Sequence, residues 1–161
     1  MHEPRLSAAL RTLLHGQRVG ALGTLGPDGR PQVSMVPFAI DRALGCLVLH
    51  VSALAAHTRN LQMAPDVSLM VMQPEVPGEP VHALPRVSLE ANAELIAPEG
   101  PRWQSLRTAY LARFPEAEPM TQLGDFRFVA LRPLAARHVA GFGAARSVDA
   151  EELARVLAAE G

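Results

Sequence analysis

The sequence predicts a mainly β domain in which six or seven antiparallel strands form a small barrel with peripheral helices. Apolar and polar residues alternate over several short segments, and clusters of turn-forming residues separate successive segments by hairpin distances. Between and around these segments, apolar residues recur at helical spacing. The length of 161 residues suits one self-sufficient core, so we expect a single domain over residues 1–161.

The chain begins with a predicted helix and a predicted hairpin. Leucine and alanine recur at helical spacing over residues 4–16, and Gly16 is a natural stop. Apolar residues then alternate over 19–25 and 33–38, with a Gly-Pro-Asp-Gly turn at 26–29 between them. We therefore expect an amphipathic helix followed by two antiparallel strands.

A second hairpin and a short helix follow. The turn-rich break at 41–45 precedes an apolar stretch at 46–51, which predicts the second strand of a hairpin. Ser52 occupies the position of an N-cap, and the helix that it would open ends near residue 64. Residues 67–72 predict a further strand.

The middle of the chain combines a loop, a long strand and a helix. Residues 74–85 contain four prolines and predict an exposed loop within the domain. Strict alternation over 87–97 predicts a long strand with one mostly polar face. Aromatic and leucine residues at helical spacing predict a helix over 101–114.

The last third of the chain predicts two strands and a terminal helix. Residues 126–132 alternate as in a strand, Pro133 interrupts the pattern, and residues 137–142 give the last predicted strand. Asp149 and Glu152 then form a capping box that opens the terminal helix.

All of the basic side chains are arginine. Lysine and arginine together number 15, and none of these residues is lysine. Schiff-base chemistry and the phosphate loop that ends in Gly-Lys-Ser/Thr are therefore excluded. Any bound anion has to be held by arginine, histidine, hydroxyls or backbone N–H groups. The net charge of −1 lacks the strongly basic face that phosphate-backbone binding needs, so we expect no nucleic-acid partner.

Cys46 is the only cysteine, which excludes an internal disulfide and a thiolate metal cluster. It lies in an apolar segment, where we interpret it as a small buried hydrophobic residue. No segment approaches the ~18 apolar residues of a membrane span, and no signal-peptide core is visible. We expect a soluble cytoplasmic protein with no membrane partner.

The common catalytic motifs are missing. The six histidines include no His-Glu-x-x-His motif and no pair at i, i+4 spacing, so no metal site is predicted. Gly-x-Ser-x-Gly does not occur. The Gly-x-Gly at 141–143 lies too close to the end of the chain for a dinucleotide-binding βαβ unit.

One segment combines several anion-binding groups. Ser52 ends a predicted strand, and His57, Thr58, Arg59 and Asn60 fall on the first turns of the helix that follows. A helix N-terminus offers free N–H groups and a positive dipole end, so these side chains could grip a phosphate without lysine. The alternative interpretation is a solvated helix with a capping serine.

Six motifs occur in an order that resembles a known family. They are Gly29-Arg-Pro-Gln-Val-Ser34-Met-Val-Pro37-Phe38, His50-Val-Ser52, His57-Thr-Arg-Asn-Leu61, Pro65-Asp-Val-Ser-Leu69, Gly124-Asp-Phe126 and Gly141-Phe-Gly143-Ala-Ala-Arg146. Together they resemble the FMN-binding split barrel of the pyridoxamine 5'-phosphate oxidase superfamily over about residues 5–148. Within it, the order is most similar to haem-utilisation flavoproteins of the HugZ type. The resemblance implies a six- to seven-stranded antiparallel split β-barrel.

The resemblance also implies where FMN would bind. In the family, one strand runs along the isoalloxazine ring, one strand end meets its pyrimidine edge, and a helix start holds the phosphate. The matching positions are Ser34, Met35 and Val36 for the first, His50, Val51 and Ser52 for the second, and His57, Thr58, Arg59 and Asn60 for the third. Family members are homodimers with two flavins at the subunit interface, so we expect a homodimer in which Phe142 and Arg146 contribute to the other subunit's flavin site.

The function implied by this resemblance is a flavin-dependent oxidoreductase acting on a small-molecule substrate or electron donor. The chemistry belongs to the flavin, so no catalytic side chain is named. True oxidases of the family carry arginine where Ser34 aligns and an Arg-Lys pair where Ala56 and His57 align, so oxidation of pyridoxamine phosphate is not expected. One alternative is a haem-binding or haem-degrading protein, with His138 or His2 as iron ligand. The other is a non-catalytic binder of FMN or the deazaflavin F420.

Overall fold

The computed structural model describes residues 2–161, in which eight strands and four α-helices form one mixed structure. The helices are α1 Arg5–Gly16, α2 Ala56–Met63, α3 Pro101–Arg113 and α4 Ala150–Ala158. The strands are β1 Val19–Leu25, β2 Pro31–Pro37, β3 Ala39–Asp41, β4 Cys46–Ser52, β5 Asp66–Met72, β6 Arg86–Ile96, β7 Phe126–Val139 and β8 Ala145–Asp149. Two 3-10 segments, Val81–Ala83 and Pro115–Gln122, complete the elements. Met1, the first residue of the predicted single domain, lies outside the described residues.

The strands form one antiparallel sheet whose two ends meet. Its order is β2-β1-β5-β6-β7-β4-β3, and β8 pairs with the second half of β7. The strands at the two ends, β2 and β3, are joined in the chain by Phe38 alone. A sheet whose edges are one residue apart has to curl back on itself, so this link closes the sheet into a barrel with a split. The predicted antiparallel split β-barrel is confirmed.

The two faces of the sheet bury two apolar cores. The first core lies between the sheet and the helices α1, α2 and α4, with fully buried leucines on five strands. These leucines are Leu22, Leu47, Leu49, Leu69, Leu89 and Leu131. The second core lies where α3 and the 3-10 segment Pro115–Gln122 cover β3, β4 and β7. Strand β4 is buried on both faces and so separates the two cores.

The predicted interruption of the strand at Pro133 is wrong. Strand β7 continues through this residue instead of ending before it. Opposite it, the pairing with β6 shifts from Ala91–Pro133 to Glu90–Ala135, which leaves Leu134 as an extra residue in a bulge. Proline lacks an N–H to donate, and a bulge is one of the places where a strand tolerates it. The expected break is therefore an irregularity within one long strand.

The end of the barrel also differs from the prediction. The strand expected over 137–142 ends at Val139, and residues 140–144 form a turn closed by a hydrogen bond from the Ala140 N–H to the Ala144 carbonyl. Strand β8, which was not predicted, follows this turn. It is five residues long and mostly exposed, so it contains too few apolar residues for alternation to predict a strand. The terminal helix is confirmed, with the Asp149 carboxylate accepting from the Glu152 N–H at 2.9 Å.

The helices are short or amphipathic. Within residues 2–161, none combines the length and the apolar character that crossing a membrane requires.

Candidate functional site

The start of α2 uses two of its predicted phosphate ligands for its own attachment. The Thr58 hydroxyl is fully buried and donates to the Ser52 carbonyl at 2.6 Å. The Asn60 amide is buried and donates to the Thr24 hydroxyl at 3.1 Å and to the Gln32 amide oxygen at 2.7 Å. These bonds hold α2 against β1, β2 and the end of β4. Thr58 and Asn60 are therefore anchors of the helix in this structure.

Ser52 shapes the turn before α2 and is not its N-cap. Its hydroxyl accepts from the Leu54 N–H at 3.2 Å, and its carbonyl accepts from the Ala55 N–H at 3.1 Å. The N-cap position is occupied by Ala55, and no side chain caps the helix. The N-cap prediction is wrong because the serine lies four residues before the helix begins and closes a local turn, as short hydroxyl side chains commonly do.

Two arginines border a recess beside α2. Arg59 is exposed, and one of its guanidinium nitrogens donates to the Leu54 carbonyl at 2.7 Å. Arg59 and Arg30 line a recess of about 460 Å³ between α2 and the turn of the β1–β2 hairpin. His57 does not line this recess; it is half-buried, and burial lowers the pKa of its imidazole. Arg59 was predicted from the sequence, but Arg30 was not. Arg30 lies 29 positions before Arg59, next to a turn, so no periodic spacing indicates that the two residues are close in the fold.

His50 lies in an aromatic cluster. Its ring centroid is 5.1 Å from that of Phe126, 4.5 Å from Phe128 and 5.6 Å from Tyr110. Burial lowers its pKa to about 4, so the imidazole is neutral at pH 7, and its Nδ1 atom has no hydrogen-bond partner within the described chain. Val51 points to the opposite face and belongs to the first core. The side chains of His50 and Val51, both predicted to meet the flavin, therefore point to opposite faces of the sheet.

The predicted flavin strand β2 also divides between two faces. Val36 is buried in the first core, Ser34 is half-buried, and Met35 is 70% exposed on the outside of the barrel. This follows from the period of two in a strand, which sends neighbouring side chains to opposite sides. Ser34 and Val36 thus share one side, and Met35 faces solvent.

Met35 belongs to an exposed apolar surface, which we call the outer apolar face. It comprises exposed apolar side chains on β1, β2 and β5, namely Val19, Leu25, Val33, Met35, Met70 and Met72. Sequence analysis missed this face. The signal was present in β5, where Met70 and Met72 occupy the alternate positions that are polar in a strand with one solvated face.

The late hairpin places its two predicted residues differently. Phe142 is 86% exposed at the tip of the turn between β7 and β8. Arg146 is mostly buried and forms two hydrogen bonds of 2.8 Å to the two carboxylate oxygens of Glu152 on α4. The Arg146 guanidinium is therefore engaged within its own chain, whereas Phe142 is free to contact another molecule.

The histidines differ in their access to a ligand. His138, which was named as an iron ligand only within the haem alternative, is completely buried, so the described chain leaves an iron bound in a porphyrin no approach to it. His15 is half-buried and its Nε2 atom lies 3.0 Å from the Val156 carbonyl. His2 and His82 are exposed and His57 is half-buried. Over residues 2–161, no three or more His, Cys, Asp or Glu side chains are grouped to hold a metal ion.

The curated relatives of this chain include two heme oxygenases. Heme oxygenase HutZ of Vibrio cholerae serotype O1 is 31% identical over 150 residues, which cover 92% of this chain and 84% of HutZ. The chloroplastic non-canonical heme oxygenase HOZ of Arabidopsis thaliana is 36% identical over 138 residues, or 84% of this chain. The aligned part is 40% of HOZ, so this chain corresponds to less than half of that relative.

Structural comparison gives the same group of proteins. A heme binding protein from Mycobacterium smegmatis superposes with a TM-score of 0.84 and 33% identity, covering 96% of this chain and 62% of that protein. Residues 6–140 match the family described as pyridoxamine 5'-phosphate oxidase. The chain belongs to the pyridoxamine 5'-phosphate oxidase family, and its relatives include split-barrel proteins of the HugZ and HutZ type.

Proposed function

We propose that this protein binds haem and takes part in haem breakdown. The observation that carries the proposal is the similarity to heme oxygenase HutZ, which extends over 92% of this chain and 84% of that protein. The structural similarity to a heme binding protein at 33% identity supports it. Both comparisons favour the haem alternative over the flavin-dependent oxidoreductase that sequence analysis placed first.

The surface features of the chain suit the chemistry of haem. Haem is a flat apolar ring with two anionic propionates and an iron that takes an axial donor. The exposed ring of Phe142, at the tip of the turn between β7 and β8, offers an apolar contact to such a ring. The exposed or half-buried imidazoles of His2, His57 and His82 are candidate iron donors. His2 remains a prediction as ligand, and the structure adds the other two.

A homodimer would cover the outer apolar face. Exposed apolar patches of this kind on a sheet are typical of surfaces that bind a partner. We propose that a second copy of the chain packs there through the same residues, as expected for a two-fold interface. The exposed Phe142 would then be available to the other subunit's cofactor site. Met35 would lie at this interface.

The test is a haem titration of the purified protein followed by absorption spectroscopy. We expect saturable binding near one haem per chain, with a Soret band distinct from that of free haem. His2→Ala, His57→Ala and His82→Ala, each compared with the wild type, identify the donor because loss of the axial ligand moves the Soret band. Incubating the complex with a reductant and oxygen then tests breakdown through loss of the Soret band and release of iron. Absence of saturable binding would rule out the proposal.

FMN binding is the second candidate function, and the recess beside α2 favours it. The recess brings together Arg59 and the uncapped first turn of α2, which favour a phosphate, while Arg30 on the other side is paired with Asp28 at 3.2 Å. Thr58 and Asn60 would support the helix there instead of contacting the phosphate. Titration with FMN, with F420 in parallel, tests this candidate through quenching of the cofactor's fluorescence. Chemistry supplied by a bound flavin would be oxidation or reduction at its ring.

A further inference from the structure

His138 is a fully buried histidine without a hydrogen bond. It lies on β7, its side chain is 0% exposed, and neither ring nitrogen has a partner within the described chain. The residue opposite it on β8 is Arg146, whose Nε atom is also buried and without a partner. Buried polar groups that lack partners cost free energy, so this pair is a weak point in the attachment of β8.

No free negative charge is available to a protonated His138. The charged groups around it are Arg146 on β8 and Glu152 on α4, while its neighbour on β6 is the apolar Val87. Both Glu152 oxygens accept from Arg146 at 2.8 Å, and one of them also accepts from the Ser7 hydroxyl on α1. Burial, with the Arg146 charge adding to it, lowers the pKa of His138, and Glu152 opposes this only as the smallest effect.

Strand β8 depends on its contact with β7. Among residues 2–161 it pairs with no other strand, and it connects the exposed turn 140–144 to α4. Helix α4 contributes Leu153 and Val156 to the first core. The turn carries Phe142, the residue that the proposed dimer would present to a cofactor. His138 therefore lies close to the turn of the β7–β8 hairpin, two residues before the turn begins, and the tip of that turn carries Phe142.

We propose that His138 is an acid-sensitive latch, whose protonation detaches β8 from β7 and frees the turn that carries Phe142. The detachment rests on the geometry of this chain alone. Its consequence, a faster release of haem in acid, rests on the proposed function. The latch is closed while the imidazole is neutral and opens as pH falls below the ordinary histidine pKa of about 6.5.

Hydrogen exchange of the haem-free protein tests the latch directly. Protection factors, corrected for the intrinsic effect of pH, are measured for the β8 amides at pH 7.5 and 5.5. If opening exposes a histidine of ordinary pKa, linkage predicts about a tenfold loss of β8 protection between these values. We expect this loss in the wild type and its absence in His138→Phe, which does not titrate. Amides of β5 serve as the internal reference.

The second buried histidine, His50, provides the matched control. His50→Phe removes a buried imidazole beneath α3, and β8 should keep its acid response in that variant. If His138→Phe does not fold, His138→Gln keeps a polar side chain without a charge and answers the same question. An equal loss of β8 protection in the His138 variant and the wild type would overturn the latch. So would unchanged β8 protection in the wild type.

The functional consequence has its own measurement. Haem transfer to an acceptor protein is followed at pH 7.5 and 5.5, and we expect release to accelerate in the wild type more than in His138→Phe. If release accelerates equally in the wild type and in His138→Phe, then opening of the latch does not control haem release. The hydrogen-exchange result would be unaffected by that outcome. Failure to bind haem at either pH would refute the proposed function, and the latch would still be judged on the haem-free protein.

Discussion

Met35 and Met70 lie on the same face of the barrel, one on each side of Ala21. Met35 pairs with Ala21 across the β1–β2 ladder, and Met70 pairs with it across the β1–β5 ladder. The two thioether side chains, 70% and 37% exposed, thus border a small residue and leave a shallow apolar surface. Methionine adapts to different partners because it is flexible and polarizable. This surface is the part of the outer apolar face that we expect a second subunit to cover.

Met35→Glu should shift the protein from dimer to monomer. Both subunits carry the change, so dimer formation would remove two carboxylates from water in an apolar two-fold interface. Light scattering coupled to size-exclusion chromatography measures the mass. Met63→Glu is the matched control, because Met63 is 83% exposed on α2 and lies outside this face. A dimeric Met35→Glu protein would place the interface elsewhere.

Arg59→Ala should weaken FMN binding by about 1–3 kcal/mol, the usual contribution of a charge-assisted hydrogen bond. Its exposure and its bond to the Leu54 carbonyl favour the lower end of this range. Arg30→Ala tests the other side of the recess. Fluorescence titration of FMN gives the affinities. Arg42→Ala, an exposed arginine remote from the recess, is the control, and unchanged affinity in both recess variants would move the phosphate to another site.

Arg146→Ala should lower the free energy of unfolding by about 2–4 kcal/mol. The Arg146 and Glu152 side chains are 21% and 14% exposed, so removing one partner leaves a mostly buried charge without its pair. The neighbouring exposed pair between Arg155 and Glu151 is the control, and Arg155→Ala should cost at most about 0.5 kcal/mol. Urea unfolding at pH 7 measures both. Equal losses would mean that the Arg146 pair is solvated like a surface pair.

His50→Phe should reduce the sensitivity of stability to acid. The pKa of His50 is lowered to about 4 by burial, so the unfolded chain binds a proton more readily than the folded one. The wild type should lose stability as pH falls from about 6.5, the unfolded value, towards 4. Urea midpoints between pH 7 and 4.5 should fall less steeply in the variant. His82→Phe, a change at an exposed histidine, should leave the slope as in the wild type.

Much of the fold could be predicted from the sequence because most strands follow turn-forming residues and show alternating apolar and polar side chains. The β1–β2 hairpin and the long strand β6 have both signals, and the structure confirms them. Strand β8 has neither, and the bulge that lets β7 pass through Pro133 depends on the partner strand. Such a feature is fixed by pairing between residues distant in sequence, which local patterns do not contain.

The candidate site was harder to predict than the fold. Thr58 and Asn60 have the chemistry of phosphate ligands, but their hydrogen bonds go to Ser52, Thr24 and Gln32. Residue type and spacing do not distinguish a polar group that binds a ligand from one that anchors a helix. The absence of lysine directs attention to arginine, and Arg30, which is paired with Asp28, lines the recess beside Arg59.

The single-residue link at Phe38 also bears on solubility. Unpaired strand edges are templates on which other chains add strands and aggregate. Here the two terminal strands of the sheet are held one residue apart, and the Phe38 ring is fully buried with the Arg113 guanidinium 5.1 Å from its centroid. A longer link would let the two edges separate and so make them accessible to a foreign strand. Lengthening the link by a few glycines should therefore promote fibre formation before it changes the thermal stability.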